Sequence, residues 1–339
     1  MIEIKELKNK SDYNPLSINK NAPFTQAWFY GEWQEAAGRK VRRFEIVDNS
    51  GTVGYFQVIK YPLPFQKAFL YIPHAPIFKA ANLNNEFLKT FSEKLKKIAK
   101  EERAIFVRFD ANISTKFDFY FKKTPMSAYH SVYFQPKHEW TLDIGEPEEE
   151  LLKKIHPKHR YGIRLAENRG VIAEVVDDLE KYFEIFYKLL SETAKRNKFN
   201  LHPKNYYRII FSNCAQSKNA FLVLAKYNEK IIAANFILLF GETAYFLLGG
   251  SSNEFKNMMA PHLAHWRGII EAKNRSYKIY NFGAVGYDGY ENFEGISRFK
   301  KRFGGQPLEY SDSYDLILEP FWFWLYNLYK KFQLYTRIV

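Results

Sequence analysis

Apolar and polar residues alternate across 41–47, 54–60 and 67–72, where β-branched side chains are frequent, and this period of two predicts three strands. At 84–101 the period changes. Phe87, Leu88, Phe91, Leu95 and Ile98 recur three or four residues apart and so share one face of a helix. A short apolar run, 104–109, ends on Asp110 and predicts a buried strand. Residues 140–143 predict another. The segment 145–150 combines Pro147 with a run of glutamates, which suits a turn leading into a helix N-terminus.

The same order then returns. A basic helix opening at 156 precedes a strand at 171–176, helices at 179–197 and 203–217, and strands at 221–227, 230–240 and 243–248. A helix at 260–275 and a strand at 278–282 follow. There is no literal repeat, but both halves run from strands through a helix to a further strand. That plan predicts an α/β class with two acetyltransferase-like (GNAT-like) units in tandem, each a mixed sheet with helices on its faces. The segment 320–332 is aromatic and of helical length. It reads either as a closing helix packed on the core or as an interfacial helix, because Trp and Tyr favour the membrane boundary.

Composition narrows the class. With 46% apolar and 26% charged residues over 339 positions the chain is globular and long enough for two domains. Aromatic residues make up 18%, including 31 Phe and 24 Tyr, so large rings will fill both core and grooves. The formal net charge of +13 favours a phosphate-bearing partner or an anionic surface, against the plainer reading of a Lys-rich soluble face. Cys214 is the one cysteine, which excludes an internal disulfide and reads as a small core residue. The first eight residues carry no apolar run of a signal peptide, and no stretch approaches about 18 consecutive apolar residues. The chain reads as cytosolic.

Two basic signatures carry the chemistry. The first is His156-Pro-Lys-His-Arg-Tyr-Gly-Ile-Arg-Leu-Ala-Glu-Asn-Arg-Gly-Val171. Arg160 and Arg164 lie one helical turn apart with Tyr161 beside them, and a guanidinium fork near a helix N-terminus suits phosphate. By spacing alone a solvated amphipathic helix with Ile163 and Leu165 inward fits as well. The second is Gly295-Ile-Ser-Arg-Phe-Lys-Lys-Arg-Phe-Gly-Gly305, where Lys300 stands beside Phe299 between flanking glycines, as in many surface loops. A lysine so placed can stabilise an oxyanion or bind a phosphate. Further segments are Phe24-Thr-Gln-Ala-Trp-Phe-Tyr-Gly-Glu-Trp-Gln34 with Gly38-Arg-Lys40, Tyr71-Ile-Pro-His-Ala-Pro76, and Tyr245-Phe-Leu-Leu-Gly-Gly-Ser-Ser252. His262 and His265 are three apart on a helix with no third metal ligand evident, and neither a phosphate loop nor a Gly-x-Ser-x-Gly elbow is present.

Together these motifs, in this order over about 24–318, resemble the Fem family (FemABX type) of non-ribosomal peptidyltransferases, in a compact form lacking the coiled-coil arm. The family pattern Lys-Pro-Lys-x-Arg-Tyr-x-Ile-Arg-x-Ala-x-x-x-Gly-Val is matched except that His156 replaces the first Lys. Ala75 stands where glycine is more usual, and Asn281 where the family has Asp, so a base at 281 is excluded. The resemblance implies GNAT-like domain 1 at 1–145 with about 316–339 returning to it, and domain 2 at 146–315. It implies transfer of an amino acid from aminoacyl-tRNA to the stem peptide of a peptidoglycan precursor, UDP-linked or lipid-linked, without cofactor or metal. Catalytic roles fall on Lys300, Phe299 and Asp110. Substrate contacts fall on Lys40, Arg160, Tyr161, Arg164 and Tyr71. The setting is cytoplasmic, with peripheral contact at the inner face of the plasma membrane. Two rival classes remain: an acyl-CoA-dependent GNAT N-acyltransferase, and a non-enzymatic basic protein that binds polyanions.

Overall fold

The computed structural model describes residues 2–79, 84–110, 120–124, 135–286 and 294–338, with side chains to 330. Met1 of the charged N-terminus and the side chains at 331 and 332 of the aromatic segment therefore lie outside the described residues. The chain divides into two compact units, Met1–Lys137 with Tyr310–Val339, and His138–Glu309.

The first unit contains β1 (Glu3–Leu7), α1 (Trp28–Ala36), β2 (Lys40–Asp48), β3 (Gly51–Pro62), β4 (Ala68–Ile72), β5 (Ile77–Phe78), α2 (Asn85–Glu101), β6 (Ala104–Asp110) and β7 (Lys122–Lys123). Its sheet runs β1-β2-β3-β4-β6, then a late strand, then β7, with β5 against β3. The β4–β6 pair is parallel, Tyr71 standing opposite Arg108 and Ile72 opposite Phe109. Helix α2 forms because Asn84 caps it, its side chain accepting from the Phe87 N–H at 2.9 Å. Its apolar stripe then buries Phe87, Phe91, Leu95 and Ile98 against Phe44, Phe56 and Phe109 of the sheet.

The second unit contains β8 (His138–Asp143), α3 (Glu148–Lys154), α4 (Pro157–Asn168), β9 (Ile172–Val176), α5 (Phe183–Asn197), α6 (Lys204–Ser217), β10 (Ala220–Tyr227), β11 (Lys230–Phe240), β12 (Thr243–Ser251), α7 (Ala260–Asn274), β13 (Ile279–Ala284), α8 (Glu294–Lys301) and β14 (Gln306–Glu309). The strand order is β14-β8-β13-β12-β11-β10-β9, with β12 and β13 parallel. Helix α7 packs on the sheet through Ala264, Ile269 and Ala272, meeting Val223, Ile237 and Tyr280. Helix α5 packs so closely on β12 that a Cβ on Gly250 would overlap the backbone of Leu189 and Leu190.

The chain then returns to the first unit as β15 (Ser313–Ile317), which inserts between β6 and β7, and α9 (Pro320–Ile338). Each unit is thus a mixed sheet with one parallel pair and helices packed on it. The cuts fall at 137/138 and 309/310, where the sequence reading put them at 145/146 and 315/316. The difference is β8, whose partners β13 and β14 hold it in the second sheet, and the start of β15, which pairs with β6. Two further segments differ from the sequence reading. The glycine-flanked signature around Lys300 is a helix, α8, and Gly249 and Gly250 continue β12 beyond the strand predicted at 243–248.

Candidate functional site

In the second unit the parallel pair is short. Thr243, Ala244 and Tyr245 of β12 face Ile279, Tyr280 and Asn281 of β13, and pairing stops there. Beyond this point β12 is pulled out of step by an irregularity opposite Phe236 and Ile237, and β13 by one between Asn281 and Ala284. Asn281 pins the second irregularity. Its Nδ2 donates to the Glu139 carboxylate at 2.7 Å, and its Oδ1 accepts from the Gly283 N–H at 2.7 Å. Gly283 holds φ 72°, and a Cβ there would lie 3.5 Å from the Phe246 carbonyl and 3.9 Å from Lys300 Nζ.

Lys300 therefore reaches from α8 to where β12 and β13 part. Its Nζ donates to the Ala284 carbonyl at 2.6 Å and lies 5.9 Å from the centre of the Phe246 ring. The side chain is buried, and burial lowers its pKa to about 8 against the opposing charge of Glu139. Among the described residues one carbonyl uses one of three ammonium donors, which leaves two for a substrate atom. The helix is anchored nearby by Ser297, whose hydroxyl accepts from the Gly286 N–H at 2.7 Å.

Phe299, the preceding residue, meets three imidazoles. Ring centres lie 4.9 Å away for His159 of α4, 5.1 Å for His262 and 5.4 Å for His265 of α7. His159 Nε2 donates to the Phe299 carbonyl at 3.0 Å. Burial depresses all three: His159 to about 4, His262 below its usual range, and His265 well below it. Neutral imidazoles of this kind pack like aromatic rings and hold Phe299 in place. No group of His, Cys, Asp or Glu able to hold a metal occurs among the described residues.

Phe299 also forms one wall of a cavity of about 280 Å³, with Ser251, Ser252, Arg196, Lys256 and the first turn of α7 around it. Among the described residues Arg196 bonds only neutral acceptors, the Ser251 carbonyl at 3.0 Å, Asn253 Oδ1 at 2.6 Å and the hydroxyls of Thr193 and Ser251 at 3.2 and 3.1 Å, so its charge stays available. A helix N-terminus with two cations suits a phosphate or carboxylate.

The other basic signature splits by role. His156 caps α4, its Nδ1 accepting from the Lys158 N–H at 3.2 Å. Arg160 donates to the carbonyls of Lys153 and Ile155, both at 2.7 Å, and so closes the end of α3. Tyr161 is 65% exposed, and Arg164 is exposed without an ion pair or hydrogen bond among the described residues. This half of the signature is partly scaffold and partly open surface.

In the first unit Asp110 ends β6, fully buried. Its two oxygens accept from the Tyr71 hydroxyl and the Ser313 hydroxyl. Burial raises its pKa to about 6, held back by those two donors and by Arg108. Arg108 in turn forks onto Asp315 through two bonds of 2.8 Å. Register explains the cluster: Ser313 stands opposite Asp110 and Asp315 opposite Arg108. Tyr71, raised well above its usual value by burial, serves Asp110 as a donor. Lys40 opens β2, 59% exposed, and pairs with Glu102 at 2.5 Å, a carboxylate shared with Lys60 and Arg42. The segment 24–26 is locked in by Gln26, whose Nε2 donates to the Pro73 carbonyl at 2.5 Å and whose Oε1 accepts from the Gln57 N–H at 3.0 Å.

The structure thus brings Phe299 and Lys300 together in one unit and Tyr71 and Asp110 together in the other. Sequence reading missed Glu139, Asn281 as a pin, Ser297, Ser313 and the histidine shell. Glu139 lies one residue before the strand predicted at 140–143, and the observed strand starts at His138, so the pattern carried no signal for it. Cys214 is buried in the core, which pushes its thiol up to about 12 and leaves it inert.

The model of the FemAB family matches residues 123–230 and 215–331 of this chain. Lipid II:glycine glycyltransferases of Staphylococcus aureus, from strain MRSA252 among others, are 22% identical over 384 aligned positions, which span 89% of this chain and 90% of theirs. Among solved structures, FemX superposes with a TM-score of 0.82 at 20% identity, covering 95% of this chain and 99% of its own. A tandem GNAT protein from the clavulanic acid biosynthesis pathway gives 0.53 at 9% identity, covering 94% and 98%.

Proposed function

The chain belongs to the FemAB family, whose model spans well over half of it, and from that premise we propose that it is an aminoacyltransferase adding an amino acid to the stem peptide of a peptidoglycan precursor. The donor is an aminoacyl-tRNA. The acceptor is the side-chain amine of a muramyl-peptide precursor, lipid-linked or UDP-linked, reached from the cytoplasmic side with peripheral contact at the membrane. The relatives' name, lipid II:glycine glycyltransferase, supports that acceptor class.

The chemistry is aminolysis of an ester. The amine nitrogen bonds to the ester carbonyl carbon, an oxyanion forms, the bond to the ribose oxygen breaks, and that oxygen leaves with a proton. The ester is already activated, so positioning and charge stabilisation suffice. The observation that carries the reading is Lys300: a buried ammonium held by the Ala284 carbonyl, with two donors unused among the described residues and a pKa lowered to about 8. It stabilises the oxyanion or hands a proton to the ribose oxygen, with Phe299 as a wall. The cavity beside Phe299, with Arg196 and Lys256, suits the phosphate-bearing end of the donor. Asp110, assisted by Tyr71, orients or deprotonates the attacking amine. Lys40 and Arg164 contact precursor phosphates, with Tyr161 beside the latter, while Arg160 holds the end of α3.

The donor is tested with a pool of charged tRNAs and, separately, acetyl-CoA, each offered with both forms of the precursor. Ribonuclease-sensitive addition of one residue is expected. Acetylation of an amine from acetyl-CoA, with no transfer from tRNA, would move the chain to the acyl-CoA-dependent class.

A further inference from the structure

In the first unit the turn joining β3 to β4 holds Phe65 and Gln66 at φ 57° and 56°, a left-handed conformation that disfavours large side chains. Phe65 is nonetheless 78% exposed, its ring 5.5 Å from that of Trp322. Helix α9 continues the apolar surface. Phe321, Trp324 and Leu328 are 65%, 58% and 37% exposed and recur at three and four residues, a single helical stripe. The opposite side of α9 is already used, since Tyr326 packs on Phe69 and Phe106. The helix is therefore apolar on two sides and covered on one, which is more than a soluble closing helix requires.

Beside Phe65 opens a groove of about 850 Å³ whose charged lining is Lys67, Lys96, Lys100, Arg103 and Glu319. Lys67 neutralises Glu319 at 2.6 Å, and Arg103 donates to Gln66 at 2.7 Å. Lys96 and Lys100 stand exposed one turn apart on α2, without an ion pair among the described residues. The groove is cationic and its rim aromatic.

We propose that this face of the first unit docks on an anionic lipid surface. The rings of Phe65, Phe321 and Trp324 enter the boundary between headgroups and acyl chains, while Lys96, Lys100 and Arg103 draw phosphate headgroups to the groove. Charge selects this occupant. A second copy of a chain carrying +13 would set these cations against another cationic surface. The inference deepens the membrane contact proposed above but stands on separate residues, so it is testable without donor or acceptor.

The test is co-sedimentation of the full chain with vesicles of phosphatidylcholine alone and of phosphatidylcholine mixed with phosphatidylglycerol, free of muramyl precursor. Binding to the mixed vesicles is expected to weaken about tenfold or more in Phe65→Ser/Trp324→Ser, with circular dichroism unchanged. Lys96→Glu/Lys100→Glu is expected to abolish the preference for phosphatidylglycerol. Phe199→Ser, at an exposed ring of the second unit, leaves binding as it was. No partition of the wild-type chain into the mixed vesicles, or equal binding by the aromatic double variant, overturns the proposal. So does a stable dimer in solution that Trp324→Ser dissociates.

Discussion

Burial sets the working charge of Lys300, and the rate should report it. If the ammonium is the active form, turnover declines as pH rises through about 8, its depressed pKa. Lys300→Arg, which keeps its proton, should lose that alkaline limb while retaining some activity. Asp110 gives a second sign. Its folded pKa, about 6, lies above the usual carboxyl value, so the folded state binds the proton more tightly. Its contribution to stability is full below the unfolded carboxyl value and is lost as pH rises through about 6. Denaturant melts should show the wild type gaining more over Asp110→Asn at pH 5 than at pH 7.5. The motif made Lys300 and Phe299 legible, because Phe-Lys between glycines is a local pattern. Their setting was not legible. The Asn281–Glu139, Ser313–Asp110 and His159–Phe299 bonds join residues 142, 203 and 140 positions apart.

At the scale of elements, period and length predicted the long strands and helices well, as for 230–240 and the stripe of α2. Short elements escaped. Helix α8 has eight residues, with Gly295 in its first turn and three cations, a composition that spacing alone does not separate from a loop. Its end is set by Gly304 and Gly305 at φ 86° and 96°, conformations glycine adopts without strain. The basic helix was located, but nothing local told that Arg160 would turn back onto α3. Arg160→Ala should lower Tm by a few degrees, whereas Arg164→Ala should leave Tm unchanged and raise KM for a phosphate-bearing substrate. A KM effect from Arg160→Ala with unaltered Tm would contradict its scaffold role. Gly250→Ala should cost about 1–3 kcal/mol or more in denaturant unfolding, because α5 leaves no space for a methyl group.

Over the whole molecule, the tandem plan was legible because each half repeats strands, helix and strand, and the two mixed sheets of the structure agree with it. The unit limits were less so, since β8 is claimed by partners that come more than 130 residues later. A net charge of +13 is a property of the whole chain and predicts donor binding that weakens at least about tenfold between 50 and 200 mM salt. Salt-insensitive donor binding would remove tRNA from the account. Whether Lys300 serves aminoacyl transfer is decided by the product. The mass of lipid-linked and UDP-linked precursor is read after incubation with charged tRNA and either wild type or Lys300→Ala, both shown to be folded. One added residue is expected with wild type, and a product rate about 10²–10³ lower with the variant. Equal rates from both proteins would contradict that role for Lys300.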